Sequence, residues 1–166
     1  MAQFFNFEGL PMNRKRIALV AHDNKKKDLI EWAEWNWHVL AGHDLVCTGT
    51  TGRLIEEALL KKTEHNGAGV SVEKLKSGPL GGDQQMGALI AEGKIDMMIF
   101  LWDPMQPQPH DVDVKALLRI CVLYNVPTAC NRATADYLIS SSLLNQEYTP
   151  LQSDFTSYTG RKVSRM

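Results

Sequence analysis

Ile95-Asp96-Met97-Met98-Ile99-Phe100-Leu101 is the stretch on which the fold turns. Apart from Asp96 it is an unbroken apolar run of strand length. Such a run fits a strand covered on both faces, as in a parallel sheet between helices. Upstream, Gly81 and Gly82 open a segment of helical period that reaches about Glu92. Before it, Val70 to Leu75 reads as a weaker strand with alternating apolar residues. The aperiodic stretch Thr63 to Gly69 reads as a loop. Earlier still come a helix from Gly52 to Lys61, a strand from Leu45 to Thr48, a helix from Lys25 to Leu40 stopped by Gly42, and a first strand from Ile17 to Ala21. Downstream, Pro104, Pro107 and Pro109 stiffen a loop. A helix follows from Val112 to Tyr124, then a strand from Val126 to Cys130 and a helix from Ala133 to Leu143. From Gln146 the tail is polar and shows no period. Strands alternating with helices predict one three-layer α/β domain around a mostly parallel five-stranded sheet.

Composition narrows the function. At 166 residues and 44% hydrophobic, the chain fits a single domain with a proper core. Its 18 basic and 19 acidic residues leave a net charge of -1, which offers no cationic footprint for nucleic acid. No apolar run approaches membrane-spanning length. Phe4, Phe5 and Phe7 near the start lack the basic flank of a secretion signal, so a cytoplasmic location is expected. Residues 1–13 read as a loosely held extension. Cys47, Cys121 and Cys130 form no CxxC pair, and the expectation is reduced, mostly buried thiols. His22, His110 and the aspartates near them have metal-binding atoms, but no HxH, HExxH or Cys-His spacing supports a metal site.

Ligands of open α/β sheets bind beyond the carboxyl ends of the strands. The unusual polar residues of this chain fall there. The first strand ends in His22-Asp23 and the second in Thr48-Gly49-Thr50-Thr51-Gly52. The third is followed by Ser77-Gly78-Pro79 and Gly81-Gly82-Asp83. The fourth is followed by Trp102-Asp103-Pro104, and its loop ends in His110-Asp111-Val112-Asp113. Thr48 to Gly52 suits an anion cradle at a helix start, and equally suits plain capping by Thr50 or Thr51. It is neither a Walker A motif nor GxGxxG, so no nucleotide is expected. Lys25, Lys26 and Lys27 begin a helix against its dipole; a bound phosphate would compensate them, and a solvated cationic face is the plainer alternative. Asp83 either caps a helix beginning at Gln84 or acts on a substrate, and Asp111 and Asp113 pose the same choice. Two histidines and several carboxylates beside an anion cradle suit proton transfer on a phosphorylated substrate. Trp32 and Trp35 lie off the face marked by Ile30, Ala33 and Trp37. That suggests a helix packed on two sides, by a second subunit or by a terminus of the chain.

The segments Ile17 to Asp23, Thr48 to Gly52, Ser77 to Gln85, Phe100 to Pro104 and His110 to Arg119 together resemble the methylglyoxal synthase family. They occur in family order between Arg16 and Asp136, and the domain is assigned to residues 14–166. The resemblance implies a flavodoxin-like fold, a homohexamer and no metal or organic cofactor. It implies conversion of dihydroxyacetone phosphate to methylglyoxal and inorganic phosphate, with phosphate as product and inhibitor. It implies Asp83 as catalytic base and His110 as the group polarising the substrate oxygens. His22 and Lys26 match substrate contacts. Thr48, Gly49, Thr50, Thr51, Ser77 and Gly78 match phosphate-binding groups. Asp23, Asp103 and Asp113 match further carboxylates of the site. Arg161 is the candidate for an arginine that the family brings from its tail to the phosphate. The chain departs from the family in a longer Lys61 to Gly69 segment and in the tail beyond Leu144. A phosphometabolite-sensing domain of the same fold and a phosphosugar isomerase are the alternatives.

Overall fold

The computed structural model describes residues 13–63, 69–105 and 111–160. Its five strands are β1 (Arg16–Ala21), β2 (Asp44–Cys47), β3 (Ser71–Lys74), β4 (Met97–Leu101) and β5 (Thr128–Ala129). All pair in parallel, in the order β3-β2-β1-β4-β5. The helices are α1 (Lys26–Trp35), α2 (Trp37–Leu40), α3 (Gly49–Thr63), α4 (Gly82–Ala91), α5 (Asp111–Leu123), α6 (Arg132–Ile139) and α7 (Thr156–Thr159). The expected three-layer α/β sheet is therefore present. As in flavodoxin the chain changes winding direction beside β1, but here β3 lies outside β2 rather than next to β1. The crevice that this reversal opens lies between the carboxyl ends of β1 and β4.

The strands show why the apolar runs are continuous. Ile17, Leu19 and Ala21 of β1 and Met97, Ile99 and Leu101 of β4 pack under α1, α3 and α6 with Leu29, Ile55 and Ile139. The alternate residues Ala18, Val20, Met98 and Phe100 pack on the other face with Met86, Ile90, Leu117 and Cys121 of α4 and α5. The central strands β1 and β4 thus bury both faces, whereas the edge strand β3 is largely exposed. Among the described residues, no helix is long and apolar enough to cross a membrane.

Several boundaries differ from the sequence expectation. The single helix expected from Lys25 to Leu40 breaks at Asn36, whose side-chain Nδ2 donates to Trp32 O at 2.9 Å. An asparagine amide bonded to nearby backbone competes with helix continuation. The strand expected from Ile95 begins at Met97, since Asp96 turns its carboxylate to accept from Arg16 N at 2.7 Å. The last long helix stops at Ile139, where Ser140 Oγ donates to Asp136 O at 2.7 Å, and a 3-10 turn from Ser142 to Asn145 follows. Trp32, set off the Ile30, Ala33 and Trp37 face by the helical wheel, belongs to the core. It is 1% exposed in the core, and its Nε1 donates to Asp136 Oδ1 at 2.8 Å. Trp35 is the outward tryptophan, 79% exposed. The expected loop is cut short because α3 runs to Thr63, and residues 64–68 lie outside the described residues, as do 1–12.

Candidate functional site

The carboxyl ends of β1 and β2 and the turn after β3 enclose a cavity of about 380 Å³. Its polar wall carries His22, Asp23, Lys26, Thr48, Thr50, Thr51, Ser77, Gly78 and Asp83, and Phe100 closes its apolar side. The expected cradle, the two β1-terminal residues and Asp83 thus share one space.

The cradle forms because two loops meet backbone to backbone. Gly49 N donates to Lys76 O at 3.1 Å, and a methyl group on Gly49 would lie 2.8 Å from Ser77 N. Only glycine fits that approach. Gly52 N donates to Thr48 O at 2.9 Å, which makes Thr48 the residue before the first turn of α3. Thr48 and Thr51 are buried, whereas Thr50 is exposed at the cavity.

Ser77 organises the next turn. Its carbonyl accepts from Leu80 N at 2.9 Å and from Gly82 N at 3.0 Å, which wraps Gly78 to Leu80 into a 3-10 turn. Gly81 follows at φ +94°, a conformation glycine adopts without strain. Gly82 lies so close to Lys76 O that an added methyl would overlap it at 2.0 Å. Gln85 Oε1 locks the same segment by accepting from Lys76 N at 2.8 Å. The helix therefore starts at Gly82, and Asp83 sits inside its first turn rather than at a cap. Its carboxylate folds over the turn: Oδ2 lies 3.0 Å from where a Gly78 methyl would stand.

The lysine run finds its compensation within its own segment. Lys26 Nζ pairs with Asp23 Oδ1, Lys25 with Asp28 at 3.2 Å, and Lys27 with Glu31 at 3.9 Å. The hydrogen bond from Lys26, then its charge, holds the Asp23 carboxyl below its ordinary range. Of the three lysines, Lys26 lines the cavity.

Asp103 and Asp113 stand apart from this space. Asp103 binds the turn after β1: its N donates to His22 Nδ1 at 3.2 Å, and its Oδ2 accepts from Asn24 Nδ2 at 3.1 Å. Asp113 accepts from Gln84 Nε2 at 3.3 Å and lines a second hollow of about 210 Å³ between α4 and α5. Asp83 lines both spaces, so it stands at their junction. His110 and Arg161 lie outside the described residues, as does the loop through Pro107 and Pro109. Asn24, Gln85 and Phe100 are not singled out for the site by the sequence, although Gln85 and Phe100 stand in segments that carry the resemblance; the fold sets their partners.

Among the described residues, no group of three His, Cys, Asp or Glu side chains comes together to hold a metal ion. Burial pushes the Cys47 thiol up to about 12, and burial likewise raises Cys121 and Cys130. A thiol held in its protonated form is a poor nucleophile. Cys130 is exposed, against the expectation for a strand end.

Comparison with known proteins agrees with this layout. An MGS-like domain model matches residues 28–130. The methylglyoxal synthase of Maridesulfovibrio salexigens is 57% identical over 153 residues, spanning 90% of this chain and 98% of that protein. The methylglyoxal synthase of Leptospira interrogans serovar Lai is 58% identical over 134 residues, spanning 81% and 84%. The crystal structure of methylglyoxal synthase from Elizabethkingia anophelis NUHP1 aligns with a TM-score of 0.79 at 48% identity, covering 92% of this chain and 95% of that one. A match of this extent, through the loops that shape the cavity as well as the strands, means that the chain belongs to the methylglyoxal synthase family.

Proposed function

We propose that the chain is a lyase that converts dihydroxyacetone phosphate to methylglyoxal and inorganic phosphate. The observation that carries this reading is the Asp83 carboxylate in one cavity with the Thr48–Thr51 and Ser77–Gly78 turns and Lys26. A sensor of phosphometabolites needs the turns and the cation; it does not need a carboxylate folded over them.

In this reading the substrate phosphate lies against Thr48, Gly49, Thr50, Thr51, Ser77 and Gly78 at the start of α3, where the helix dipole favours an anion. Lys26 adds charge and exchanges part of its pairing with Asp23 for the phosphate. Asp83 removes a proton from the carbon next to the carbonyl. The C–H electrons form the enediolate double bond, and the carbonyl oxygen takes the negative charge. His110 and His22 donate hydrogen bonds to the substrate oxygens, and this stabilisation of developing charge makes the proton removable. Asp83 draws its effect from position against the substrate. The enediolate electrons then expel phosphate: the C–O bond breaks, and its electrons leave with the phosphate oxygen. The enol that remains tautomerises to methylglyoxal. The C–O bond must stand out of the enediolate plane to overlap the π system, and the cradle sets that angle. Asp23 completes the charge pattern beside Lys26, Asp103 and Asp113 act from outside the cavity, and Arg161 is proposed as a further cation for the phosphate.

The catalytic domain is 14–166 in this reading, preceded by a 1–13 extension. It works in the cytoplasm as a homohexamer, without metal or organic cofactor, and its product phosphate inhibits it. The test is to incubate chelator-treated protein with dihydroxyacetone phosphate and assay both products. Equal release of phosphate and methylglyoxal is expected. An isomerase would retain the phosphate, a sensor would release neither product, and loss of activity with the chelator would overturn the metal-free reading.

A further inference from the structure

Asp103 is held at two points by one short segment of chain. Its backbone N–H donates to His22 Nδ1 at 3.2 Å, and its Oδ2 accepts from Asn24 Nδ2 at 3.1 Å. His22 immediately precedes, and Asn24 lies within, the 3-10 turn Asp23–Lys25 that leaves β1. The other carboxylate oxygen accepts from Met105 N at 2.9 Å, which folds the side chain onto its own loop. The histidine is fixed from the opposite side. Its N donates to Leu101 O at 3.1 Å, carrying the β1–β4 ladder one residue further. Its ring stands edge-on to Phe100, 5.5 Å away at 75°. These contacts decide which ring nitrogen bears the proton. A peptide N–H can only donate, so Nδ1 presents its lone pair and the neutral ring is protonated at Nε2.

We infer that Asn24 is a positioning residue for His22: by holding the Asp103 carboxylate, its amide keeps the Asp103 peptide aimed at Nδ1 and the imidazole in the Nε2-protonated tautomer. Removing the amide leaves Asp103 tied to Met105 within its own loop but cuts this tie to the segment that carries His22. The Asp103 peptide then tilts, and Nδ1 competes for the proton. The charge on Asp103 belongs to the device. The Met105 N–H and then the Asn24 amide hold its carboxyl below the ordinary range, so it remains a strong acceptor. Because His22 lines the cavity, the tautomer determines whether the ring meets a substrate oxygen as donor or as acceptor. The kinetic consequence rests on the lyase reading; the tautomer itself does not.

The experiment is Asn24→Ala, read first by ring 15N signals in histidine-labelled protein, with His22→Asn used to assign the resonances. Wild type should show Nδ1 as an unprotonated nitrogen and Nε2 as a protonated one, and Asn24→Ala should average the two. Turnover of dihydroxyacetone phosphate should fall about tenfold in kcat/KM, the size of one hydrogen bond to a charged group. The Tm should stay unchanged because Asn24 is exposed. Asn24→Gln should recover part of both signals, and Asn24→Asp should lose more than alanine by setting a carboxylate against Asp103. A protonated Nδ1 in wild type, or ring signals unaltered by Asn24→Ala, overturns the inference. The ring signals decide it even for a wild type inactive on dihydroxyacetone phosphate, a result that would sink the lyase reading instead.

Discussion

The two ends of the same five strands are finished in opposite ways. At the carboxyl end, turns packed backbone on backbone leave a cavity of about 380 Å³ with hydroxyls, a lysine and carboxylates on its wall. At the amino end, Met97, Pro127, Leu138, Leu144 and Tyr148 close down on a hollow of about 90 Å³. Side chains of the protein take up backbone donors there: Asp96 accepts from Arg16 N at 2.7 Å, and His43 accepts from Lys15 N at 3.2 Å. The base is finished with contacts that hold the sheet, and the rim with groups turned to a space large enough for a small phosphate ester. Stability and chemistry are therefore separable, and variants at the two ends should behave differently.

The sharpest test of that separation is Asp83→Asn. The amide keeps the size and loses the base, so kcat should fall by about three orders of magnitude while phosphate still binds and the Tm holds. Near-normal turnover would return Asp83 to a structural role and move the search for the base to Asp113, in the adjoining hollow. Leu144→Ala is the converse change. Leu144 is 3% exposed at the base, and its truncation should remove about 2–4 kcal/mol of stability in a urea melt. The kcat of the folded fraction should not change, and a drop in it would mean that the two ends are coupled.

The sequence carried the sheet better than it carried the site. Runs such as Ile17 to Ala21 are legible because burial on both faces leaves only apolar residues in them. The turns were legible for a related reason: Gly49 and Gly82 stand where a methyl group would strike backbone. Side-chain pairings were not legible. That Asp23 compensates Lys26, or that Asn24 reaches Asp103 across 79 positions, depends on where the fold brings the loops. Trp32 and Trp35 show the same limit on a helix. A wheel fixes their angle, but α6 decides that Trp32 is covered, through Asp136.

Lys26→Ala sharpens the comparison within the rim. If Lys26 holds phosphate, the variant should bind inorganic phosphate about 1.5–3 kcal/mol more weakly by calorimetry, as for a hydrogen bond to a charged group. Part of that loss would come from Asp23, left without its lysine and facing the anion. The double variant Lys26→Ala/Asp23→Asn should therefore bind phosphate better than Lys26→Ala alone. Equal affinity in wild type and Lys26→Ala would make the lysine a solvated partner of Asp23 and nothing more.

His43 gives the smallest effect, and it belongs to the base. It is fully buried, its Nδ1 accepts from Lys15 N, and its Nε2 finds no partner among the described residues. Protonating the ring would break the bond at Nδ1 and place a charge out of water. Burial, first, and the charges of Arg14 and Lys15, next, lower its pKa from the ordinary 6.5, with Asp44 and Asp96 opposing. In the window between the lowered value and 6.5, the unfolded chain binds a proton that the folded chain refuses. The stabilising contribution is thus complete above the unfolded value. It falls with pH through that window, by at most about 1.4 kcal/mol per unit, and levels off below the folded value. His43→Gln keeps an acceptor for Lys15 N and cannot titrate. Urea melts of both proteins at about pH 7.5 and about pH 5.5, either side of the ordinary histidine value, isolate this residue from the other histidines. Wild type should lose more stability than the variant between the two. Parallel losses would mean that His43 is protonated as readily in the folded chain as in the unfolded one, and that this end of the sheet is open to water after all.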